Sequence, residues 1–312
     1  MPAFSTHYAF ACRCAGLVQS HCGFLPDKNA LMVGTQGPDI FFFHRILPVL
    51  MPGHSLRKIG SALHRTKPGD IFDAAAQHIR KSKEKEISLS YFYGFILHYA
   101  LDRCCHPYIY AKQHEMQTIY PYLHPFTLHN EVELALDAYV LSKVLHEKAP
   151  ADFQPALTFF TNARMLNAVE TCIQAILKNA CGYMLPKGAA VQAIVDTRTA
   201  QVMLHDKSGC KRTLAVQAEK ALLPLTGGLK LSVMIRPATA QSGAAYANEQ
   251  HVCWRSPWLP DVPRRESFLD LFYAAQTDAA ELLDGFDAVL RGEACGSEIT
   301  QNRSFLTGVE VK

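Results

Sequence analysis

No apolar run in this chain is long enough to cross a bilayer. The longest, "YFYGFILHYAL", is interrupted by His98 and closed by Asp102 and Arg103. No sign of charge dominates either: 31 Lys and Arg face 28 Asp and Glu, a net charge of +3 that gives bulk electrostatics no case for nucleic-acid binding. The 10 cysteines are scattered and form no CxxC pair. Walker loop, dinucleotide fingerprint and Ser-His-Asp signature are all missing. The opening "MPAFSTHYAFACRCAGL" lacks the basic segment and continuous apolar core of a secretory signal. The expected location is therefore the cytoplasm, with reduced thiols and export by another route left open.

The 312 residues are 49% hydrophobic and only 19% charged, enough to build a sizeable core. The apolar residues recur at helical spacing almost throughout. Ile71, Phe72, Ala75 and Ile79 line one face of "DIFDAAAQHIRKS", and Val132, Leu136, Val140 and Val144 line one face of "EVELALDAYVLSKVLHEK". Helices are expected also over "NARMLNAVETCIQAILKNA", "AVQAIVDTRTAQVMLH" and "SFLDLFYAAQTDAAELLDGFDAVLRG". In the last, Ser267 and Asp270 form a capping pattern and Gly292 a stop. "SLSYFYGFILHYALDRCC" is apolar on nearly every side and reads as a central buried helix. The expected fold is all-α, a multi-helix bundle around that helix. Breaks fall at "GTQGPD", "LPVLMPGHS", "LPLTGG" and "RSPWLPDVPRR". "GGLKLSVMIRP" fits a short strand or a helix equally, and the stretch from about Thr239 to Arg265 reads as a loop. No repeat or long linker appears, so one domain over residues 1–295 with a frayed tail over 296–312 is expected.

Within the central helix, "HYALDRCCHP" places His98 and Asp102 at i and i+4, on one helical face. Pro107 disfavours helical geometry for His106, so the helix is expected to end there and free His106 for a neighbouring ion. "HNEVE" supplies a second pair, His129 and Glu133. One buried histidine is ordinarily a satisfied core residue, and one HxxxE pair is ordinarily exposed. Two such pairs, the first in a dry helix where a lone aspartate would be costly, favour a metal site of nitrogen and oxygen donors. That donor set suits zinc, and paired helices are a recurrent way to build it.

The segments "MPAFSTHY", "GTQGPDIFFFH", "GSALHRTKPGDIF", "GFILHYALDRCCHPYI" and "HNEVELALD" resemble, in order, the bacterial zinc-dependent phospholipase C family. The resemblance covers roughly residues 1–150; beyond, only the helical character and the aromatic "CWRSPW" loop are similar. It implies an all-helical fold around two or three zinc ions. By motif, His98 and Asp102 would bind one ion with His64, while His106, His129 and Glu133 would bind another. His7 would bind a third, with Asp102 able to bridge, and Asp39 would be a ligand or the group that orients the attacking water. His54 competes with His64, whose surroundings match the family better.

The resemblance implies a phosphodiester hydrolase acting on a phospholipid or a related head group, with Asp39, Asp102 and Glu133 as catalytic carboxylates. Transient contact with a membrane surface is expected and stable nucleic-acid binding is not; the oligomeric state is left open. Two other readings share the ligands: a single-strand nuclease or phosphatase, and a non-catalytic helical binding protein stabilised by metal. Among the remaining residues, Phe41, Phe42 and Phe43 read first as core and second as an apolar wall. His44 reads as a core or surface residue, His251 as a surface or loop residue, and Cys104 and Cys105 as bystanders. Trp254 and Trp258 read as a cap on the helices before a membrane contact.

Overall fold

The computed structural model describes residues 4–46, 54–146, 150–237 and 239–311. The helices run in chain order as α1 (Phe4–Arg13), α2 (Ala15–His21), α3 (Lys28–Gly34), α4 (Ile40–Phe43), α5 (Arg57–Arg65), α6 (Pro68–Lys81) and α7 (Lys85–Ile119). They continue as α8 (Pro125–Val144), α9 (Ala163–Cys181), α10 (Ala189–Leu204), α11 (Cys210–Leu222), α12 (Gln241–Ala244), α13 (Phe268–Arg291) and α14 (Gly296–Thr300). The sheet among the described residues is one antiparallel hairpin, β1 (Trp254–Ser256) with β2 (Leu259–Arg264). The fold is all-α. Most of the "LPVLMPGHS" break lies outside the described residues.

The chain resolves into two compact units. The first is Met1–Ala9, Cys105–Pro155 and Gln201–Tyr273; the second is Phe10–Cys104, Ala156–Ala200 and Ala274–Lys312. Four of the five borders fall inside α1, α7, α10 and α13, and the fifth inside the 3₁₀ turn Pro155–Leu157, so no linker-like composition marks them.

In the second unit the aromatic periodicity of α6 and α7 closes on α13. Phe72 meets Phe92 and Phe286 with ring centroids 5.3 and 5.6 Å away, and Phe92 meets Phe286 at 4.5 Å. Such edge-on and tilted contacts add to plain burial. Two glycines let α3 approach α7 closely: a Cβ on Gly34 would stand 1.9 Å from the Tyr91 carbonyl oxygen, and one on Gly94 2.1 Å from that of Leu31. This approach brings the turn that follows α3 against the middle of α7. Arg103 on α7 is clamped by Asp278 on α13, its Nε donating at 2.6 Å and its Nη2 to the second oxygen.

In the first unit the α1 N-terminus is capped from a distance. Asp137 on α8 accepts the Ser5 N–H at 3.1 Å, the Thr6 N–H at 2.8 Å and the Thr6 hydroxyl at 2.6 Å. A carboxylate at that end satisfies orphan donors and favours the helix dipole. α12 seats on α8 through Gly243, whose Cβ would meet the Ala135 carbonyl oxygen at 2.2 Å.

Four local expectations need correction. α7 does not stop at His106 but runs through Pro107 to Ile119. Interior proline costs a helix roughly 3 kcal/mol, which burial of the flanking residues Cys105, Tyr108 and Ile109 outweighs. "GGLKLSVMIRP" holds only a 3₁₀ turn, Ser232–Met234. The 239–265 stretch contains α12 and the hairpin, while α11 carried no sequence signal because it buries no residue. The end of the chain is not frayed: α14 packs on α6, the backbones of Arg303 and Glu310 pair in an isolated antiparallel β-bridge, and Phe305 is fully buried. The capping pattern at α13 is formed, with the Ser267 N–H donating to Asp270 at 2.8 Å and the Asp270 N–H to the Ser267 hydroxyl at 3.1 Å.

Candidate metal centre

Among the described residues, two histidine–carboxylate triads each lie within a single unit. In the second unit, His98 and Asp102 come from adjacent turns of α7 and His64 from the last turn of α5. The His98 Nε2 lies 3.1 Å from Asp102 Oδ2, and the His64 Nε2 lies 3.6 Å from the same oxygen. Asp39, in the 3₁₀ turn Gly37–Asp39, stands 3.4 Å from His64 Nε2. In the first unit, Glu133 Oε1 lies 3.2 Å from His129 Nε2 and 3.3 Å from His106 Nε2. His129 and Glu133 are one turn apart on α8, and His106 comes from α7.

The ring nitrogens on the far side are fixed. The His64 Nδ1 lies 2.8 Å from the Gly60 carbonyl oxygen, the His98 Nδ1 lies 3.2 Å from that of Thr35, and the His129 Nδ1 lies 2.8 Å from Gln113 Oε1. A carbonyl acceptor requires Nδ1 to carry the proton, which leaves the Nε2 lone pair facing the carboxylate. That is the arrangement in which outer partners orient metal-binding imidazoles. The second unit's contacts follow from the fold: the close α3–α7 crossing delivers Thr35 to His98, and Gly60 is one turn before His64 on α5.

The donors fit a zinc ion in chemistry, and their carboxylate–imidazole separations fit it in distance. Ligand atoms about 2.0–2.1 Å from a tetrahedral zinc stand roughly 3.3 Å from one another, and each carboxylate oxygen here lies 3.1 to 3.6 Å from its imidazole nitrogens. Both triads offer three donor atoms within 4.8 Å of one another, at buried or nearly buried positions. Three protein donors leave a coordination position for water or substrate, whereas a structural zinc takes four.

Electrostatics agree in direction. Burial lowers the His129 pKa below its ordinary 6.5 against the pull of Glu133, so the imidazole is neutral near pH 7. Burial would raise the Glu133 carboxyl, but nearby positive charge and hydrogen bonding hold it well below the ordinary range. The residues are thus a neutral imidazole and an anionic carboxylate, the forms a metal takes.

Aromatic rings wall both triads. Phe42 stacks on His64 at 5.6 Å and Phe305 meets the same ring edge-on at 5.6 Å. In the first unit Tyr110 lies 4.7 Å from His129, with Trp258 edge-on to Tyr110 at 5.0 Å. Phe305 escaped the sequence reading because it lies in the tail, where nothing in the pattern announces it.

His7 is buried on α1, immediately after the two residues held by Asp137. His54 is exposed, and His64 takes the place beside Asp102. Phe41 and Phe43 are core. The His44 Nδ1 accepts the Leu56 N–H at 3.3 Å. Cys104 faces Asp278 at 3.8 Å, and all ten cysteines are free thiols. His251 is exposed, Trp254 is buried with its Nε1–H donating to the Glu266 carbonyl, and Trp258 is partly exposed. Among the described residues no helix is long and apolar enough to cross a membrane.

A family model described as zinc dependent phospholipase C matches residues 6–183, a span that contains both triads, His7 and Asp39. No curated protein and no solved structure gives a match.

Proposed function

The chain belongs to the zinc-dependent phospholipase C family, and on that premise we propose that it hydrolyses the head-group phosphodiester of a phospholipid. The observation that carries the reading is the pair of buried triads with oriented imidazoles. His64, His98 and Asp102 would hold one zinc, and His106, His129 and Glu133 another. His7 is assigned to a third on family resemblance. Zinc, when bound, supplies Lewis-acid polarisation of a phosphoryl oxygen and a coordinated water of near-neutral pKa.

The chain's own groups do the rest. The carbonyls of Gly60 and Thr35 and the Gln113 amide oxygen hold the imidazole tautomers, so that no proton must leave Nε2 when a ligand arrives. Asp39, beside His64 and at the edge of the buried set, is positioned to take the proton of the attacking water, as a general base must be. Asp102 Oδ2 faces both His64 and His98, which supports its role as a ligand of the first ion. Tyr110 and Trp258 limit water on one side of His129.

The three-donor set of His106, His129 and Glu133 argues against a purely structural metal there. The test pairs metal analysis with substrates. The purified chain is expected to carry zinc and to release the alcohol from a chromogenic phosphocholine diester, with single-stranded DNA uncut. A chain that holds no zinc, or that cuts only DNA, overturns the reading.

A further inference from the structure

Within the first unit, the turn after α7 and the segment after α11 are pinned together. Gly228, at φ +80°, comes so close that a Cβ there would stand 2.2 Å from the Tyr122 carbonyl oxygen. The Gly228 carbonyl accepts the His124 N–H at 3.1 Å and the Thr127 hydroxyl at 3.0 Å, and the Lys230 N–H donates to that hydroxyl at 3.0 Å. Tyr120, Tyr122, Lys220 and Lys230 share the walls of a groove of about 400 Å³ with Val216 and Leu223.

The apolar side chains here face water. Tyr122 is 63% exposed, Leu222 49%, Leu225 84% and Leu231 65%. α11 is held by polar groups: Arg212 donates to the Ser232 carbonyl at 2.8 Å and to Glu131 at 3.0 Å, and Glu219 accepts the Ser232 N–H at 2.7 Å. Both carboxylates nearest the groove are thereby engaged. Lys220 and Lys230 pair with no described carboxylate, so the surface is apolar, aromatic and net positive. Exposed leucines, tyrosines and lysines in these neighbouring segments are the residue types that favour the acyl boundary, the head-group level and the phosphates of a bilayer interface.

We infer that this surface docks on a bilayer containing anionic phospholipid, with Leu222, Leu225 and Leu231 inserted and Lys220 and Lys230 against phosphates. The choice of a lipid surface over a protein partner rests on the phospholipase reading together with this positive charge. The surface belongs to the unit that holds the His129 triad, and Thr127 and Leu128, which line the groove, immediately precede His129.

The test uses the full zinc-loaded chain with vesicles of phosphatidylcholine alone and of phosphatidylcholine mixed with phosphatidylserine. The chain is expected to sediment with the mixed vesicles, more weakly with the neutral ones, and less as salt rises. Lys230→Gln should lower partitioning onto mixed vesicles by about fivefold, and Leu225→Ser should lower it onto both. Both variants should keep their zinc, their helical spectrum and the wild-type rate on a soluble diester. Absence of vesicle binding overturns the inference. So does binding that both substitutions leave unchanged, or Leu225-dependent self-association in light scattering without vesicle binding. If binding depends on Leu225 and Lys230 but no soluble diester is cleaved, docking stands and the phospholipase reading falls.

Discussion

Gly37 presses against His98: a Cβ on Gly37 would lie 2.4 Å from the His98 Cδ2, and its backbone φ is +49°. Alanine there meets two costs, the left-handed backbone and overlap with a ring that has no free space to enter, since His98 is fully buried. Gly37→Ala should therefore lower zinc content and melting temperature without touching any ligand atom. Gly16→Ala, where nothing lies within 4 Å, should leave zinc unchanged. Zinc per chain, measured after dialysis, decides it; equal zinc in the two variants would mean that the ring is not held by this contact.

His98 also marks how far the sequence could be read. The i, i+4 pairs were legible because two residues on one helix need only a periodicity to be placed together, and His98 with Asp102 and His129 with Glu133 meet as that spacing requires. The third member of each triad comes from another segment. His64 was reachable only through family resemblance, and His106 was placed past a helix end that does not exist. The partners of Nδ1 were invisible: Gly60 and Thr35 contribute backbone oxygens, which any residue type could supply. α11 was invisible for another reason, since a helix without a buried face has no apolar period to detect.

The Arg103–Asp278 clamp joins a buried guanidinium to a largely buried carboxylate, with side chains 5% and 15% exposed. Removing one member leaves an uncompensated charge. Asp278→Ala should cost about 3 kcal/mol, the low edge for broken buried pairs, because the Arg103 guanidinium still donates to the Tyr99 oxygen at 3.1 Å and the Thr300 carbonyl at 3.3 Å. Replacing both residues by apolar ones of similar volume should recover most of the loss. Denaturant titration of the single and double variants checks this, and a double variant as unstable as the single would refute it.

Acid should destabilise the metal-free chain in two stages. The His129 pKa is lowered below 6.5 by burial, against the opposing Glu133 charge. Below pH 6.5 the unfolded chain then binds the proton first, so stability falls as pH falls. Glu133, held below 4.5 by its neighbours despite burial, contributes stability that is present above pH 4.5 and lost as pH drops through its folded value. Burial lowers His44, His78 and His205 in the same direction, so His129→Gln should shrink the first stage rather than erase it. Denaturant midpoints of chelated protein across this range test it; a midpoint that rises on acidification would reverse the sign argued here.

Chelation offers a test of the triads as folding elements. Each joins side chains from separate helices, so a bound ion favours the folded chain by mass action. Removing metal should lower the melting temperature of the wild type, and should do so less in a chain carrying His129→Ala and Glu133→Ala together, which has one binding set fewer to lose. Scanning calorimetry with and without chelator gives both differences. Equal shifts in the two chains would place the stabilising ion elsewhere.

Asp102 should matter more to hydrolysis than any single histidine. Its Oδ2 is within 3.6 Å of two imidazoles, and its carboxyl is the anionic member of the set formed with His64 and His98. Losing an imidazole removes one neutral donor; losing this charge removes both a donor and the negative potential that holds a dication among buried rings. Asp102→Asn keeps the volume and discards the charge. The rate on a chromogenic phosphocholine diester should fall at least about a hundredfold, roughly 2.7 kcal/mol of barrier. His251→Ala, at an exposed position that belongs to neither triad, should keep the wild-type rate. Far-UV spectra of both variants separate a lost reaction from a lost fold. If Asp102→Asn retains its helical spectrum and cleaves the diester as fast as wild type, the carboxylate has no part in the chemistry and the proposed mechanism is wrong.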